Sequence, residues 1–290
     1  MTSISTRSFL QKAGLFAAAL LLAACSKQEP VAPAAVAVPA AAPAPARVYA
    51  VGTDAAYAPF ESQNEKGEIV GFDIDLIRAV AAKAGIEIKL FNTPWEGIFS
   101  TLNQGDRDLL VSAITITEER KQSMDFSAPY FDAHQLIAVR SNAKINALAD
   151  LKNLKIGVQT GTTGDEVATK LLGKNSPNVK RYESTPLALK ELEAGGVDAV
   201  VADNGVVIHY VANNSSAKFK VVSDKTFTPE QYGFAVKKGN TELQDKLNKG
   251  LAAIRADGTY DKIYAQYFGA PPVVAAVAAA VPAAASSAAK

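Results

Sequence analysis

Short apolar runs alternate with stretches of helical periodicity through the middle of this chain, which is typical of α/β construction. The predicted strands cover residues 47–53, 87–92, 109–114, 136–140, 155–159, 199–202, 219–223 and 232–237. The predicted helices cover residues 72–84, a segment opening at 94, 161–172 and 242–256. Asp73 is expected to cap the first helix and Gly85 to end it. No internal sequence repeat is visible, so the repetition is architectural and suits two similar lobes.

Both ends of the chain differ in composition from its middle. Residues 26–46 and 271–290 consist mainly of Ala, Pro and Val with few polar residues. Such segments cannot form a packed core, so we expect an extended tether before the globular part and a disordered tail after it. The globular part is expected to span residues 47–270.

The first 25 residues have the pattern of an export signal. Arg7 and Lys12 form a basic segment, residues 13–22 are apolar, and Leu22-Ala23-Ala24-Cys25 places small residues before a cysteine. The apolar run is shorter than the roughly 20 residues that cross a bilayer. The pattern resembles a bacterial lipoprotein signal, which implies a lipid on Cys25 and a periplasmic or cell-surface location. An ordinary signal peptide, or a buried cysteine in a helix, is the alternative.

Charge and residue counts argue against several classes of partner. The formal net charge is +1, so no overall field attracts nucleic acid or an anionic membrane. Two histidines and one cysteine, without a CxxC or HExxH motif, disfavour a transition-metal site. We therefore expect no metal, no cofactor and no nucleic acid, and membrane contact only through the lipid on Cys25.

Polar residues follow four predicted strands, at the sheet edge where ligands bind in open α/β sheets. They are Asp54, the segment from Ser112 to Arg120, the segment from Gly157 to Gly164, and Asp203. Each alone is explained more simply as a turn residue, a helix cap or a solvated cation. Together they predict a single polar site.

The segment from Ser112 to Arg120 carries the most specific chemistry. Its hydroxyl groups precede two acidic residues and an arginine, at what the pattern predicts to be a helix start. Hydroxyls, free helix N–H groups and a guanidinium together suit a small carboxylate. Because no glycine-rich phosphate loop is present, an organic acid is favoured over a nucleotide.

Longer motifs across the globular region resemble one family. They are Gly52-Thr53-Asp54 through Phe60-Glu61, Val70-Gly71-Phe72-Asp73-Ile74-Asp75-Leu76, Ile114 through Lys121, Met124-Asp125-Phe126-Ser127, Gly161-Thr162-Thr163, Gln231-Tyr232-Gly233, and Asp257-Gly258-Thr259-Tyr260. In this order they resemble the polar amino-acid-binding proteins of bacterial ABC importers, including the glutamine and the lysine/arginine/ornithine binders.

The resemblance implies a type II periplasmic-binding fold, in which two α/β lobes joined by a two-stranded hinge close on a ligand. Lobe 1 would comprise residues 47–131 and 231–270, and lobe 2 residues 135–227. The implied protein is an extracytoplasmic monomer that captures a polar L-amino acid, with a basic or amide side chain. It would deliver this ligand to ABC permease subunits and would perform no catalysis.

The resemblance also implies a binding role for a set of residues. Arg120 would pair with the α-carboxylate, supported by Ser112, Ala113, Thr115 and the backbone N–H of Thr163. Asp203 would hold the α-ammonium, and Asp54 would repel an acidic side chain. The full predicted set is Asp54, Tyr57, Trp95, Ser112, Ala113, Thr115, Arg120, Gln159, Thr162, Thr163 and Asp203. Gln159 stands where the glutamine binders carry a lysine, so the particular amino acid stays open.

Two other functions stay open at this point. An enzyme on the same fold, resembling the cyclohexadienyl dehydratases, would need an acid or base in the cleft, such as Glu61 or Glu166. A sensing protein would bind the same amino acid without importing it.

Overall fold

A computed structural model describes residues 47–269, so the predicted signal, tether and tail lie outside the described residues. The strands are Val48–Thr53 (β1), Ala56–Tyr57 (β2), Glu61–Gln63 (β3), Ile69–Val70 (β4), Glu87–Asn92 (β5), Leu109–Leu110 (β6), Met124–Phe126 (β7), Phe131–Ala133 (β8), Gln135–Arg140 (β9), Ile156–Gln159 (β10), Val179–Tyr182 (β11), Ala199–Asp203 (β12), Phe219–Val222 (β13), Glu230–Tyr232 (β14) and Ala235–Lys237 (β15). The α-helices are Phe72–Ala84 (α1), Ile98–Gln104 (α2), Arg120–Ser123 (α3), Thr163–Leu172 (α4), Thr185–Ala194 (α5), Asn204–Asn213 (α6), Thr241–Ala256 (α7) and Thr259–Phe268 (α8). Two short 3₁₀ helices cover Leu148–Leu151 and Ser215–Ala217.

Two five-stranded sheets share one topology. The first has the order β5-β1-β6-β15-β7, and the second has the order β11-β10-β12-β9-β13. In each sheet the first three strands are parallel, and the fourth, β15 or β9, runs antiparallel to both of its neighbours. That fourth strand follows directly from a hinge strand, β14 or β8. This is the predicted type II arrangement. Lobe 1 denotes residues 47–131 and 231–269, and lobe 2 denotes residues 135–227.

The hinge is an antiparallel pair formed by β8 and β14, in which Phe131 faces Tyr232 and Ala133 faces Glu230. The sequence predicted a single strand over residues 232–237, which is wrong. Gly233 interrupts it, since its N–H bonds the carbonyl of Ile114 and a Cβ there would lie 2.8 Å from Ile116. The chain therefore leaves the hinge at Gly233 before it enters the lobe 1 sheet as β15.

The strand predicted over residues 109–114 is also shorter than expected, because it ends at Leu110. Ala113 has a φ of 46°, a left-handed conformation that is uncommon outside glycine. This conformation turns residues 112–115 away from the sheet. The same short segment carries part of the predicted site.

Helix α1 begins at Phe72, after Gly71 rather than after the predicted cap, Asp73. Gly71 has a φ of 136°, and a Cβ there would lie 2.1 Å from the carbonyl oxygen of Phe60, so only glycine fits. Asp73 is buried in the first turn, where its Oδ2 accepts the N–H of Ala113 at 2.7 Å and the hydroxyl of Tyr130 at 2.6 Å. Asp73 thus ties α1 to the segment that follows β6.

The lobes differ in what fills their interiors. Lobe 1 packs aromatic rings edge to face, with Phe60 at 5.0 Å from Phe131 and 5.3 Å from Tyr232 between ring centroids. Its helices α1, α7 and α8 cover this cluster. The interior of lobe 2 is mainly aliphatic, with Val158, Val201 and similar residues between its sheet and helices. Between residues 47 and 269, no helix has the length and apolar character needed to span a membrane.

Candidate functional site

All eleven residues of the predicted set line one cavity between the two lobes, with an empty volume of about 310 Å³. Their positions follow from the topology, since parallel strands of each sheet end at this edge. Lobe 1 contributes the segments after β1, β5 and β6, and lobe 2 contributes the last residues of β10 and β12 and the start of α4. That these residues bind a ligand stays a prediction at this point.

Arg120 is held in place from several sides. Its Nη1 donates to the carbonyl of Thr115 at 2.9 Å, and its Nη2 donates to the carbonyl of Gly161, in lobe 2, at 3.3 Å. The guanidinium also lies over the rings of Trp95 and Phe99, at 5.4 and 5.2 Å from their centroids. Desolvation lowers the pKa of Arg120, but a guanidinium stays charged in proteins. The result is a fixed cation at the cavity wall.

The segment after β6 uses two of its donors within the protein. The hydroxyl of Ser112 donates to Glu61 at 2.9 Å and accepts the N–H of Asp54 at 3.0 Å. A hydroxyl has one proton, so Ser112 cannot also donate it to a ligand. The N–H of Ala113 is likewise bonded to Asp73.

Thr115 keeps its backbone edge toward the cavity. It bridges Tyr232 across an antiparallel pair, and the hydrogen bonds beside this bridge come from Ile116 and Gly233. In such a pair the N–H and C=O of the bridged residue point away from its partner. The carbonyl of Thr115 accordingly meets Arg120, so its N–H lies on the same cavity-facing edge.

Lobe 2 presents the start of α4 to the cavity. Thr162 caps this helix, because its hydroxyl accepts the N–H of Asp165 at 3.2 Å and donates to the carbonyl of Gln159 at 2.9 Å. Thr163 is the first helical residue. The N–H groups of a first helical turn have no partner within the helix and favour an anion.

Asp203 is the acid opposite Arg120. Its carboxylate accepts hydrogen bonds from the hydroxyls of Tyr57 at 2.9 Å and Tyr232 at 2.6 Å, and from the amide of Gln135. Burial and, to a smaller extent, the nearby charge of Glu230 together raise the pKa of Asp203 to about 6, against the lowering effect of these hydrogen bonds. Even so, an approaching cation would favour its ionised form.

Asp54 forms a second acidic point in the cavity. Burial raises its pKa, while hydrogen bonds from Gln159 and from the backbone of Trp95 lower it. The Gln159 amide lies 3.3 Å from Asp54, across the cleft. The Nε1 of Trp95 donates to the carbonyl of Thr160 at 3.1 Å, also across the cleft.

The comparisons with known proteins decide the family. Residues 49–270 match the bacterial extracellular solute-binding proteins, family 3. The chain belongs to this family.

Relatives of this family 3 member include proteins named for basic amino acids. A probable histidine-binding protein of Neisseria gonorrhoeae is 45% identical over 259 residues, covering 88% of this chain and 94% of the relative. An L-arginine-binding protein of Pseudomonas aeruginosa is 34% identical over 224 residues, covering 75% and 86%. Both are binding proteins by name.

A solved structure agrees with the fold. The arginine-, lysine-, histidine-binding protein ArtJ from Geobacillus stearothermophilus superposes with a TM-score of 0.76 at 46% identity, covering 78% of this chain and 97% of that one. The predicted type II fold is thereby confirmed. The predicted membership among polar amino-acid-binding proteins also holds, although glutamine itself is not singled out.

Neither acid considered for an enzyme lines the cavity of this solute-binding protein. Glu61 is fully buried behind Ser112, and Glu166 lines a neighbouring groove. Desolvation raises the pKa of Glu61 well above its ordinary value, and the charge of Asp73 raises it further. Among the described residues, no group of His, Cys, Asp and Glu is arranged to hold a metal ion.

Three residues at the edge of the site were not predicted. Gln135 and Tyr232 bond Asp203, and Glu230 bonds two of the predicted threonines. Gln135 and Glu230 belong to the hinge region, between the motifs. Their side chains carry no sequence signal that separates them from ordinary surface residues. Only Tyr232 lies within a motif that carries the family resemblance, and the resemblance implies no binding role for it.

Proposed function

We propose that this protein captures a basic L-amino acid. The charges that line the cavity are two carboxylates and one guanidinium, those of Asp54, Asp203 and Arg120. The α-carboxylate of an amino acid pairs with Arg120, and its α-ammonium pairs with Asp203. Asp54 then stands without a counter-charge, and a cationic side chain supplies one. This third charge is the observation that carries the proposal.

The backbone completes the binding of the carboxylate. The N–H of Thr115 from lobe 1 lies on the same edge as the carbonyl that meets Arg120, and the N–H of Thr163 from lobe 2 belongs to the first turn of a helix that borders the cavity. Backbone donors and a helix N-terminus strengthen the binding of an anion without adding a mobile charge. They recognise what all amino acids share, so they define the class of ligand rather than its identity.

The side-chain end of the cavity distinguishes among amino acids. Asp54 attracts a guanidinium, ammonium or imidazolium group and repels a carboxylate. The ring of Trp95 offers a surface on which a planar cation can stack. The relatives that bind histidine and arginine support this assignment.

Ligand capture is coupled to closure of the two lobes. Arg120 and Asp54 of lobe 1 already meet Gly161 and Gln159 of lobe 2. A ligand that pairs with Arg120 on one side and Asp203 on the other adds contacts that only the closed arrangement makes, which shifts the population toward it. The closed form is then the one that an ABC permease receives.

The proposed cellular setting rests on the predicted export signal and on the family of extracellular solute-binding proteins. The protein is extracytoplasmic, carries a lipid on Cys25 and acts as a monomer. It performs no catalysis, and import rather than sensing is its role. Metabolic labelling with a radioactive fatty acid tests the anchor, because Cys25→Ala should abolish incorporation.

Mass spectrometry of the ligand released from purified protein tests the proposed function. Calorimetry with arginine, lysine, histidine, glutamine and glutamate then ranks the candidates. We expect the three basic amino acids to bind more tightly than glutamine, and glutamate to bind least. Tightest binding of glutamate would overturn the charge assignment, and turnover of arogenate or prephenate would establish the enzyme instead.

Replacing Asp54 with Asn should reduce affinity for arginine and lysine about 10- to 100-fold, or about 1.4 to 2.7 kcal/mol. The variant removes a half-buried carboxylate but keeps a hydrogen-bonding side chain of the same shape. Glutamine serves as the internal control, since its neutral side chain should bind the Asp54→Asn variant about as well as the wild type. Calorimetry with arginine and with glutamine gives the ratio of the two affinities in each protein.

Asp106→Asn is a matched control variant, because it removes an exposed carboxylate that lies outside the cavity. It should leave the arginine-to-glutamine ratio unchanged. If Asp54→Asn also leaves the ratio unchanged, Asp54 has no part in selecting the ligand.

A further inference from the structure

Glu230 occupies an unusual position for an acidic side chain. It is the first residue of hinge strand β14 and pairs with Ala133 of β8. Its side chain lies at the boundary between the ligand cavity and a larger neighbouring groove, which it lines with Thr115 and Thr163. Those two threonines line both spaces. Glu230 therefore does not line the ligand cavity itself but lies behind two residues that do.

The Glu230 carboxylate collects donors from both lobes. Its Oε2 accepts the hydroxyl of Thr115 at 2.7 Å and the hydroxyl of Thr163 at 2.9 Å. Its Oε1 accepts the amide of Gln135, at the start of β9, at 2.9 Å. One oxygen atom thus joins lobe 1 to lobe 2, and the carboxylate is anchored on a strand that belongs to the hinge.

These bonds also decide which groups the two threonines offer to a ligand. Each hydroxyl has a single proton, and both protons are directed to Glu230. Only the backbone N–H groups of Thr115 and Thr163, two residues that line the cavity, can then donate to a ligand. A carboxylate acceptor makes such hydrogen bonds shorter and stronger than a neutral one would. Glu230 thereby links the two residues, one from each lobe, whose N–H groups are proposed to bind the ligand carboxylate.

We propose that Glu230 is a positioning residue that latches the lobes in the closed arrangement and prolongs the bound state of the ligand. This inference rests on the proposed binding of an amino acid between the lobes. Since Glu230 does not touch the ligand, it should act on how long the lobes stay together and not on which amino acid they hold.

Glu230→Ala should raise the ligand dissociation rate about 10- to 100-fold and change the association rate less than about threefold. Thr163→Val removes one of the two lobe-bridging hydroxyls without changing shape much, and it should raise the dissociation rate about 10-fold. Stopped-flow fluorescence of Trp95 measures both rates, since this is the only tryptophan of the chain and it spans the cleft. Selectivity between arginine and glutamine should not change.

Glu166→Gln is the matched control. Glu166 lines the same groove and is also near Arg120, so this variant alters the charge there without breaking the bridge. It should keep the wild-type dissociation rate. An equal increase in Glu166→Gln would assign the effect to charge, and unchanged rates in both Glu230→Ala and Thr163→Val would show that there is no latch.

A ligand-free measurement separates the latch from the proposed function. Small-angle scattering of Glu230→Ala without ligand should give a larger radius of gyration than the wild type, because the open arrangement is more populated. If the wild-type protein bound no amino acid, the proposed function would fail while this comparison could still be made. An unchanged radius together with unchanged dissociation rates overturns the inference.

Discussion

Replacing Arg120 with Ala should weaken amino-acid binding about 30-fold or more, since removing one partner of a buried, hydrogen-bonded charge pair costs about 2 to 5 kcal/mol. The ligand carboxylate would lose its only cationic partner among the residues that line the cavity. It would be enclosed by the lobes without a counter-charge. The carbonyls of Thr115 and Gly161 would also lose their donor.

Arg120→Lys separates charge from geometry. Lysine keeps the positive charge, but it cannot reach two carbonyls and a carboxylate in one plane. The affinity of the Arg120→Lys variant for the amino acid should therefore lie between those of the wild type and of Arg120→Ala. Calorimetry with the ligand identified by mass spectrometry provides the comparison.

Lys121→Ala is the control for Arg120→Ala. Lys121 is the next residue, forms an exposed ion pair with Glu118 and lies outside the cavity lining. Its removal should leave affinity within about twofold, as expected for a surface pair. Near-native affinity in Arg120→Ala, with the fold intact by circular dichroism, would refute the assignment of the carboxylate site.

The sequence could predict the site because its residues are adjacent to strand ends. Asp54 and Asp203 directly follow apolar runs, and Arg120 follows a cluster of hydroxyls. Local pattern places each of them at the carboxyl edge of a sheet, where the topology brings them together. Tyr57 and Trp95, which only the family resemblance implied, line the same cavity, and the role of the whole set in binding stays a proposal.

The sequence could not predict which acceptor each hydrogen-bond donor of the site binds. Ser112 looked like a ligand donor, yet its hydroxyl is committed to Glu61, 51 positions away. Glu230 bonds Thr115 across 115 positions. Such pairings depend on which helices and strands meet in space, and no local periodicity or spacing encodes them.

The misplaced element boundaries have the same origin. Strand β6, which begins at Leu109, ends earlier than predicted because Ala113 adopts a left-handed conformation. Alanine does not favour this conformation by itself. Asp73 holds that conformation through the Ala113 N–H. Local propensity assigns Asp73 to a helix cap, but tertiary contacts use it to shape the binding segment instead.

Asp73 and Glu61 form a buried pair of carboxyl groups. Asp73 accepts two hydrogen bonds on one oxygen, from Ala113 and Tyr130, whereas Glu61 accepts one from Ser112. The remaining oxygen of each has no other partner among the described residues. A proton held by Glu61 and directed to Asp73 satisfies both, so the negative charge resides on Asp73, which has more donors.

This pair predicts how stability depends on pH. Burial raises the pKa of Asp73 from 3.8 to about 6. The folded state therefore binds a proton at Asp73 more tightly than the unfolded chain does. The stabilisation that this proton gives is present in full below about pH 4. It is lost as pH rises through about 6.

Asp73→Asn should make the fall in unfolding free energy between pH 4 and pH 7 smaller than in the wild type, measured by urea titration of the ligand-free protein. The asparagine oxygen can accept from Ala113 and Tyr130, and its amide can donate to Glu61 once Glu61 is ionised, so the contacts persist and Glu61 is the one member of the pair that still titrates. Asp203, with a pKa raised to about 6 by burial, titrates in both proteins and cancels in the comparison.

Asp73→Ala distinguishes the hydrogen bonds from the titration. It leaves the Ala113 N–H and the Tyr130 hydroxyl without an acceptor, so it should destabilise the protein at every pH by about 2 to 4 kcal/mol. Asp73→Asn should show little of this constant loss, because it retains both bonds. If Asp73→Asn follows the wild-type dependence on pH, then Asp73 is not the group that titrates, and the pair does not hold its proton as the hydrogen bonds suggest.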